Sequence, residues 1–566
     1  MGKEGAGGLL GQSKGFRTES GIPVKSVYTA EDIKQVRKKE DIGLPGEYPF
    51  TRGIHPEMYR KRVWTSRPIR GMGTMKENIE WQKCLLEMGE TGLGMIDDLP
   101  SRAALDPDHP FLEGAQGRIG VSVASLKDME LFVKEMPISE LSVAWHTNKA
   151  FHGCAYIVAA QKAGHDISNL RGTFGGTLID LIPAFPNLHY LLQEVNGHRC
   201  NEWRLNLDLA TFILRNMPDC NLTGPYIYNM REAGVNAVQE VAFAFACAKD
   251  EMSHLLKRGI DVNAIGRRYS FTFAVRDDFF EEIAKFRAAR RVWAKMMKEE
   301  FKATEPRAQM FRVFCHTGGI YFHRQQPLVN IVRATILTLA GVLGGTQAIS
   351  TACYDEPFGL PHEQAARIAE RTNQVIAHET GITNTVDPLG GSYYIEWLTN
   401  EIEKKIWNLL DEIEERGGVW EAMKSDWVNE IISDSQLRIQ KEIESKERII
   451  VGVNEYVIPE EEEEKIPLQK VPLELSEQRA EEIRQLKRTR DNTKTKKALE
   501  NLYWAAKEEE NDLIPPVFEA IKAYATIGEI YGVLRMAEEW DYDIHFHQVQ
   551  YPFGEIEPKS KTVGVT

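Results

Sequence analysis

Apolar residues along most of the chain recur at two different spacings. Short apolar runs such as GRIGVSV (117–123) and ELSVAW (140–145) have the length of buried strands. Amphipathic stretches lie between them, and in residues 277–301 Ile283, Phe286 and Trp293 recur near helical spacing. Strand followed by helix, repeated over residues 45–395, predicts a parallel α/β architecture, and a (β/α)8 TIM barrel fits this length.

The pattern changes after residue 395. Residues 401–418 place Ile402, Ile406 and Ile413 on one helical face, and Gly417 is a typical helix end. The run PEEEEEKIP (459–467) indicates a solvated linker, and further helical patterns follow it. We therefore expect an N-terminal arm over 1–45, with residues 1–20 mobile, a barrel over 46–400 and a mostly helical extension over 401–566.

Composition and charge narrow the class of protein. The net charge of −14 and the pI of about 5.6 argue against a general nucleic-acid binder or a protein of anionic membrane surfaces. Seven cysteines without a CxxC pair indicate reduced thiols. We see no signal peptide and no run of apolar residues long enough to span a membrane, so we expect a cytoplasmic protein.

Two stretches suggest ligand binding, each with a plain alternative. Arg62, Arg67 and Arg70 form a cationic set suited to phosphate groups, although a solvated basic face is favoured on spacing alone. The small residues of 341–361 let a flat cofactor approach the backbone, and tight packing of elements explains them equally well.

Four longer blocks resemble one known family. They are EDIGLPGEYPFTRGIHPEMYR (40–60), FFEEIAKFRAARR (279–291), NIVRATILTLAGVLGGTQ (330–347) and DPLGGSYYIEWLT (387–399). From residue 22 to 450, and more weakly to 535, the chain resembles the adenosylcobalamin-dependent acyl-CoA mutases of the methylmalonyl-CoA mutase family. The resemblance implies a barrel with acyl-CoA along its axis, small hydrophilic residues lining the bore and a corrin over one end. It also implies a radical 1,2-shift, begun by homolysis of the cobalt–carbon bond, in which the protein binds, orients and shields the substrate.

The same resemblance implies roles for individual residues. The positions matching CoA or substrate contacts are Met58, Arg62, Thr65, Arg67, Thr173, Arg268, Ser270 and Arg312. The positions matching contacts to the corrin or the adenosyl ribose are Leu99, Gly319, Glu356 and Gly359.

The chain departs from the family at the acyl end. Ile69 replaces an aromatic residue and resembles the 2-hydroxyisobutyryl-CoA mutases, and Gly175 replaces a glutamine. An aspartate that binds the substrate hydroxyl in those enzymes aligns with Ile96, and Asp97 is a possible substitute one position along. Asn229 stands where the family has the histidine that polarises the thioester, a role that His316 is a candidate to take over. An apparent insertion in 178–203 covers the position of the carboxylate-binding arginine, where Gln193 is the nearest match.

These changes carry a prediction about the substrate. Ile69 and Gly175 remove bulk, while Trp145 and Phe314 add apolar surface, which favours a branched, alkyl- or aryl-substituted acyl-CoA. We therefore predict catalytic roles for Ile69, Asn229 and His316. 2-Hydroxyisobutyryl-CoA or methylmalonyl-CoA mutase activity, or an inactive acyl-CoA-binding scaffold subunit, are the alternatives.

The resemblance also implies a partner. Single-chain mutases end in a cobalamin domain with a DxHxxG motif, which DIHFHQ (543–548) does not match. We expect a separate small cobalamin-binding subunit to supply the cobalt ligand for adenosylcobalamin. We further expect a homodimer of large subunits in a heterotetramer, with the helical extension as docking and dimerisation surface.

Overall fold

The structure is a computed structural model that describes residues 16–147, 149–175, 192, 194–195 and 198–556. Its main sheet has nine strands, all of them parallel. In chain order they are β1 (Thr65–Ser66), β2 (Ile69–Arg70), β3 (Leu93–Ile96), β4 (Ser142–His146), β5 (Arg171–Phe174), β6 (Cys220–Thr223), β7 (Tyr269–Val275), β8 (Val313–Thr317) and β9 (Ala348–Ser350).

The sheet closes on itself at its first two strands. β1 pairs with β9 and β2 pairs with β3, so β1 and β2 are the two edges of the sheet. Only Arg67 and Pro68 separate them in the chain, and proline has no N–H to donate to a strand ladder. β1 and β2 therefore act as one interrupted strand, which gives eight barrel positions and confirms the predicted (β/α)8 architecture.

Helices follow the strands around the barrel and continue beyond it. The α-helices are Met58–Lys61, Met75–Met88, Leu99–Arg102, Leu126–Glu135, Ala150–Lys162, Asn201–Asn216, Tyr228–Ala233, Ala237–Lys257, Val262–Gly266, Phe279–Lys295, Val329–Leu343, Glu363–Glu379, Tyr393–Glu415, Val419–Lys424, Trp427–Glu444, Leu473–Thr489, Asn492–Ala506, Ile514–Lys522 and Ile527–Ala537. The last seven confirm a helical C-terminal region, whereas the boundaries 1–45, 46–400 and 401–566 stay predictions. None of the described helices is both long and apolar enough to cross a membrane.

Alternate strand residues face opposite sides of the barrel wall. One set is buried in the hydrophobic core between the strands and the helices, and includes Met95, Val143, Phe174, Leu222, Phe273 and Ile349. The other set faces the bore: Gly94, Ile96, Ser142, Ala144, His146, Thr173, Asn221, Thr223, Ser270, Thr272, Ala274, Phe314, His316, Ala348 and Ser350. Branched aliphatic residues dominate the interior of an ordinary barrel. This bore is lined mainly by small and hydroxyl-bearing side chains, as the resemblance implies.

The described part of the N-terminal arm is anchored to the barrel. The buried Glu19 carboxylate pairs with Arg231 and lies 3.3 Å from the Arg276 guanidinium. Burial alone would raise the pKa of Glu19, but these two arginines hold it at about 2. The Ser20 backbone N–H donates to Glu281. Contrary to the prediction that residues 1–20 are mobile, Glu19 is held by ion pairs and Ser20 by a backbone hydrogen bond, contacts that a Gly-rich composition does not reveal.

The cysteines behave as predicted. All seven lie in the described part of the chain, and none forms a disulfide. Six of them are buried, and burial raises the pKa of thiols such as Cys154 and Cys315, which keeps them protonated.

Candidate active site

The predicted site residues fall at the two opposite ends of the barrel. Thr65 begins β1, while Arg268 and Arg312 immediately precede β7 and β8, so these residues lie at the amino ends of the strands. Asp97, Gly319 and the helix that carries Asn229 follow the carboxyl ends of β3, β8 and β6. The predicted CoA contacts and the predicted corrin contacts are thus separated by the length of the bore.

Cations surround the amino end of the bore. Burial of Arg67 and, to a smaller extent, the charge of the exposed Arg62 lower the pKa of Arg67 to about 10. Burial and the neighbouring Arg307 likewise lower the pKa of Arg312 to about 10. This concentration of positive charge suits an anionic ligand.

Arg67 is the innermost of these cations. Its Nη2 atom donates to Ser142 Oγ at 2.6 Å, and its buried Nε atom has no hydrogen-bond partner. No carboxylate among the described residues forms an ion pair with it. A partly buried charge that lacks a counter-ion is unfavourable, so the position indicates a ligand that supplies oxygen acceptors.

Other predicted CoA contacts make internal bonds. The Arg268 guanidinium donates to Ile213 O and Met217 O, at the end of helix Asn201–Asn216. Arg312 donates to Gly266 O at 3.1 Å and to Arg307 O at 3.0 Å. Ser270 Oγ, which faces the bore, donates to Leu222 O at 2.7 Å. Met58 is buried in a satellite hydrophobic cluster with Phe50 and Ile54.

Small side chains stand beside Ile69 along the middle of the bore. Ile69 is paired in register with Gly94, which in turn is paired with Ala144, and Thr173 follows on β5. The Ile69 backbone N–H donates to Ser350 Oγ at 3.2 Å. A Cβ added to Gly175 would meet no atom within 4 Å. The two predicted losses of bulk, Ile69 and Gly175, therefore lie beside free space or glycine.

An aromatic cluster narrows the bore near the carboxyl ends of the strands. It consists of His146, Tyr226, Tyr228, Phe314 and His316, with ring centroids of successive neighbours 4.8–5.9 Å apart. Three barrel positions separate β4 from β8 in either direction. The contact between His146 and Phe314, at 5.5 Å, therefore crosses the bore and narrows it.

His316 has a defined tautomer. Its Nδ1 atom lies 2.8 Å from the Thr317 carbonyl oxygen, which can only accept, so Nδ1 carries the proton. Burial lowers the pKa of His316 to about 4, so the ring is neutral and Nε2 is an acceptor. This tautomer does not donate to a thioester carbonyl, the role suggested from the sequence. Asn229 lies next to Tyr228 in the first turn of its helix and offers an amide donor there.

His146 lies at the end of β4 and faces the bore. Both of its ring nitrogens are buried, and neither has a hydrogen-bond partner among the described residues. Burial lowers the pKa of His146 to about 3, and the positive charges of Arg67 and Arg102 act in the same direction. The neutral ring therefore holds one unsatisfied donor and one unsatisfied acceptor.

Two carboxylates meet beside Gly319 at the carboxyl end of the bore. A Cβ at Gly319 would lie 3.3 Å from Glu232 Oε2 and 3.6 Å from Glu356 Oε1, so the glycine permits this close approach. Tyr228 Oη accepts a hydrogen bond from the Gly319 N–H at 3.2 Å. Burial raises the pKa of Glu232 to about 7 and also raises that of Glu356. Glu232 Oε1 is buried without a hydrogen-bond partner, so the pair can accept from, or donate to, ligand hydroxyl groups.

Exposed apolar side chains surround this end of the barrel. Leu99, which follows β3, is 56% exposed, and Ile320, which follows β8, is 50% exposed. Ile119 is 62% exposed and lies close by, since the next residue, Gly120, donates to Gly71 O just after β2. Gly359 lies on the loop that follows β9. The carboxyl face thus combines apolar surface with the two carboxylates.

Comparison with known proteins decides the family. The methylmalonyl-CoA mutase family profile matches residues 17–539. The chain is 36% identical to the 2-hydroxyisobutanoyl-CoA mutase large subunit of Aquincola tertiaricarbonis, over 92% of this chain and 91% of that protein. It is 34% identical to the methylmalonyl-CoA mutase of Rhizobium meliloti, over 92% of this chain and 72% of that protein. It is also 34% identical to the methylmalonyl-CoA mutase large subunit of Porphyromonas gingivalis, over 91% of this chain and 71% of that protein.

The chain belongs to the methylmalonyl-CoA mutase family. This confirms the family predicted from the sequence and, with it, an isomerase of the acyl-CoA mutase type. The family as a whole implies the use of adenosylcobalamin. The parts assigned above to individual residues stay predictions.

Asp97 and Trp145, two residues predicted for the acyl pocket, contact other parts of the protein. Asp97 Oδ1 accepts from Arg102 Nε at 3.1 Å, and Asp97 Oδ2 accepts from Thr147 Oγ1 at 2.8 Å, so a substrate contact would compete with these bonds. Trp145 packs in the hydrophobic core against Phe132. The prediction that Trp145 adds apolar surface to the acyl pocket is wrong, because strand alternation turns it away from the bore. Gln193 lies outside the described residues.

The sequence reasoning missed three residues of this mutase site. Tyr228 and Glu232 lie in YNMREAG, beside Asn229. Glu232 is recognised as a site residue because its carboxylate lies close to Gly319, and Gly319 is on the loop after β8, far away in sequence. His146 adjoins Trp145, and the alternation of a strand starting at Ser142 is the signal that places it in the bore.

Proposed function

We propose that this chain is the large subunit of a two-component, adenosylcobalamin-dependent carbon-skeleton mutase that rearranges a branched or bulky acyl-CoA. The observation that carries the proposal is Arg67, a partly buried cation that has no carboxylate partner among the described residues and lies beside a bore of small side chains. Acyl-CoA would supply the missing acceptors there and place its phosphates among Arg62, Arg307 and Arg312. Thr65, Thr173 and Ser270 would line the path of the pantetheine arm.

The residues at the carboxyl end fit the cofactor. The orphaned Glu232 Oε1 and the neighbouring Glu356 suit the hydroxyl groups of an adenosyl ribose. Leu99, Ile119 and Ile320 offer apolar contact to a corrin, and the loop of Gly359 lies at the same face. When bound, adenosylcobalamin supplies the radical chemistry. The chain's own part is to orient the acyl group beneath it and to exclude water.

The acyl pocket supports a branched or bulky group. Ile69 lies opposite Gly94, and Gly175 leaves free space, so this part of the bore has room that an aromatic residue and a glutamine would fill. Asn229 would donate to the thioester carbonyl. 2-Hydroxyisobutyryl-CoA is the next candidate substrate, because the relative from Aquincola tertiaricarbonis, which aligns with this chain over 91% of its own length, is named a 2-hydroxyisobutanoyl-CoA mutase large subunit.

A small cobalamin-binding subunit would complete the enzyme and provide the cobalt ligand. Two relatives are named as large subunits, which implies a small subunit for those proteins. The exposed apolar residues at the carboxyl end form a surface for such a partner. We further propose that helices after residue 401 contribute to a homodimer of large subunits within a heterotetramer.

A reconstitution experiment tests this function. The purified chain is mixed with a cobalamin-binding subunit of a two-component mutase, adenosylcobalamin and a panel of acyl-CoA thioesters, and products are identified by mass spectrometry. Binding of each thioester to the chain alone is measured by calorimetry. We expect binding of CoA thioesters, and isomerisation of at least one branched member.

The variant Arg67→Met separates a specific bore from non-specific binding. It removes the charge and keeps an unbranched apolar side chain, and we expect acyl-CoA binding to weaken at least tenfold because the charged hydrogen bonds are lost. Arg367→Met, at an exposed residue of helix Glu363–Glu379, is the matched control. Thioester binding without any isomerisation would favour the scaffold alternative, and absence of binding would reject both functions.

A further inference from the structure

One side chain in the bore has no function in the site as described so far. His146 is buried at the end of β4, faces the bore, and contacts Phe314 and Tyr226 only through its ring faces and edges. Within the part of the chain that the structure describes, both ring nitrogens lack hydrogen-bond partners. Buried polar groups in folded proteins are nearly always hydrogen-bonded, and an exception calls for an explanation.

The surroundings show which ligand group the ring would bind. Arg67, Arg102 and His316 are the charged or titratable neighbours that act on it, and Arg102 Nη2 donates to the His146 carbonyl oxygen rather than to the ring. Burial, together with the positive charges of Arg67 and Arg102, keeps the imidazole neutral, so it presents one N–H donor. The matching ligand group is an uncharged oxygen acceptor.

We propose that His146 is a substrate-binding residue that donates a hydrogen bond to an uncharged oxygen of the acyl thioester, and thereby determines specificity at the acyl end. The inference rests on the proposed function, because it takes acyl-CoA as the ligand of the bore. Two oxygens have this chemistry, the thioester carbonyl and a hydroxyl on the acyl chain.

The position of His146 supports this role over a purely structural one. It stands at the last residue of β4, on the same side of the wall as Ala144 and Ser142, and its register partner on β3 is the bore-facing Ile96. A ring that served only as packing would not need two nitrogens, and burying them unsatisfied is unfavourable. The bore is also where the unpaired Arg67 indicates a ligand.

The experiment compares three forms of the full chain: wild type, His146→Phe and His146→Asn. Phenylalanine keeps an aromatic ring against Phe314 and Tyr226 but removes the donor, whereas asparagine keeps a donor. Calorimetry measures the dissociation constants of isobutyryl-CoA, 2-hydroxyisobutyryl-CoA and CoA without an acyl group. Thermal unfolding of each variant checks that it is folded.

We expect His146→Phe to bind at least one of the two thioesters about tenfold more weakly than wild type, and His146→Asn to recover most of that loss. An equal loss for both thioesters assigns the thioester carbonyl, and a loss confined to 2-hydroxyisobutyryl-CoA assigns the hydroxyl. CoA itself should bind all three forms equally.

Two results separate failure of this inference from failure of the proposed function. If folded His146→Phe binds both thioesters as tightly as wild type, His146 is not a substrate-binding residue, although acyl-CoA binding stands. If wild type binds neither thioester nor CoA, the proposed function fails first and the inference with it.

Discussion

At the scale of single residues, Ile69 is the predicted determinant of specificity for the acyl group. It faces Gly94 across the β2–β3 ladder, so its side chain has no bulky neighbour on that strand. We predict that Ile69→Tyr covers Gly94 and crowds the pocket. The ratio of kcat/KM for small over branched acyl-CoA substrates should then rise about 10–100-fold, as expected when a pocket loses space for one or two carbon groups.

Ile69→Leu is the control for this prediction, because leucine has the same volume and no ring. It should leave the substrate ratio within a few-fold of wild type in the same reconstituted assay. A tyrosine variant that is folded and keeps the wild-type ratio would remove Ile69 from the determinants of specificity.

The raised pKa of Glu232 predicts how the stability of the chain changes with pH. Burial raises its pKa to about 7 from an ordinary value near 4.5, so between these values the unfolded chain ionises while the folded chain stays protonated. Glu232 therefore contributes stability at low pH that is lost as pH rises through about 7. Glu232→Gln should gain thermal stability relative to wild type by a few degrees between pH 5 and 7, with little further change above.

Scanning calorimetry at pH 5, 6, 7 and 8 measures this difference in Tm. Glu363→Gln, which removes an exposed carboxylate from helix Glu363–Glu379, is the control and should show a difference that does not vary over the range. A Tm difference for Glu232→Gln that is flat with pH contradicts the raised pKa.

Residue-scale predictions from sequence depended on side-chain direction. The run ELSVAW indicates a strand, but Trp145 and His146 are neighbours on it, and a shift of one residue exchanges the bore for the core. Ile69, Gly319 and Glu356 were selected because their positions match family motifs, and they lie in the bore or at its carboxyl end. His146 has no such block, so only the observed register reveals it.

At the scale of elements, hydrophobic periodicity predicted the helices but not their charged contacts. Periodicity assigns charges to a solvated face. In helix Phe279–Lys295, however, Arg287, Arg290 and Arg291 are buried. Arg287 pairs with Asp387 and Glu396, and Arg291 with Glu403 on helix Tyr393–Glu415. Such pairs join distant segments, which a local pattern does not detect.

A buried triad links the C-terminal helices to the barrel. Glu202, on helix Asn201–Asn216, accepts from Lys149 Nζ at 2.5 Å and from Arg535 Nε at 2.9 Å. Although burial alone would raise the pKa of Glu202, the two cations hold it at about 2. In this triad one carboxylate therefore forms ion pairs with two cations.

We predict that Glu202→Gln destabilises the chain more than Arg535→Met does. The glutamine removes the carboxylate that pairs with both buried cations, and breaking a buried pair typically costs about 3–5 kcal/mol. Arg535→Met leaves a neutral Lys149–Glu202 pair and should cost clearly less. Urea midpoints of both variants against wild type test the order, and equal midpoints, or the reverse order, contradict the arrangement of charges.

At the scale of the whole molecule, the barrel separates two binding tasks. The amino end and the bore carry Arg62, Arg67 and Arg312, whereas the carboxyl end carries Glu232, Glu356 and the exposed apolar residues. The resemblance to the family predicted Arg62, Arg67, Arg312, Glu356 and Leu99 from the sequence, but not Glu232, Ile119 or Ile320. The end of the barrel at which each residue lies could be assigned only once the first and last residue of every strand were known. Each strand begins at one end of the barrel and finishes at the other.

This separation predicts that the two tasks can be lost independently. The double variant Leu99→Asp/Ile320→Asp places two charges on the apolar carboxyl face, where both side chains are at least half exposed, so the fold should tolerate it. We expect binding of a small cobalamin-binding subunit loaded with adenosylcobalamin to weaken at least tenfold, because desolvated charges oppose an apolar interface. Acyl-CoA binding should be unchanged. Arg67→Met should show the reverse, weak acyl-CoA binding with normal subunit binding.

Calorimetry with each ligand in turn measures both affinities for every variant. Leu437→Asp, at an exposed apolar residue of helix Trp427–Glu444, is the control for adding a surface charge and should change neither affinity. If the double variant still binds the cobalamin subunit normally, the partner docks elsewhere on the molecule. If both variants lose both ligands together, the two ends of the barrel are coupled, and the division of tasks along the bore is wrong.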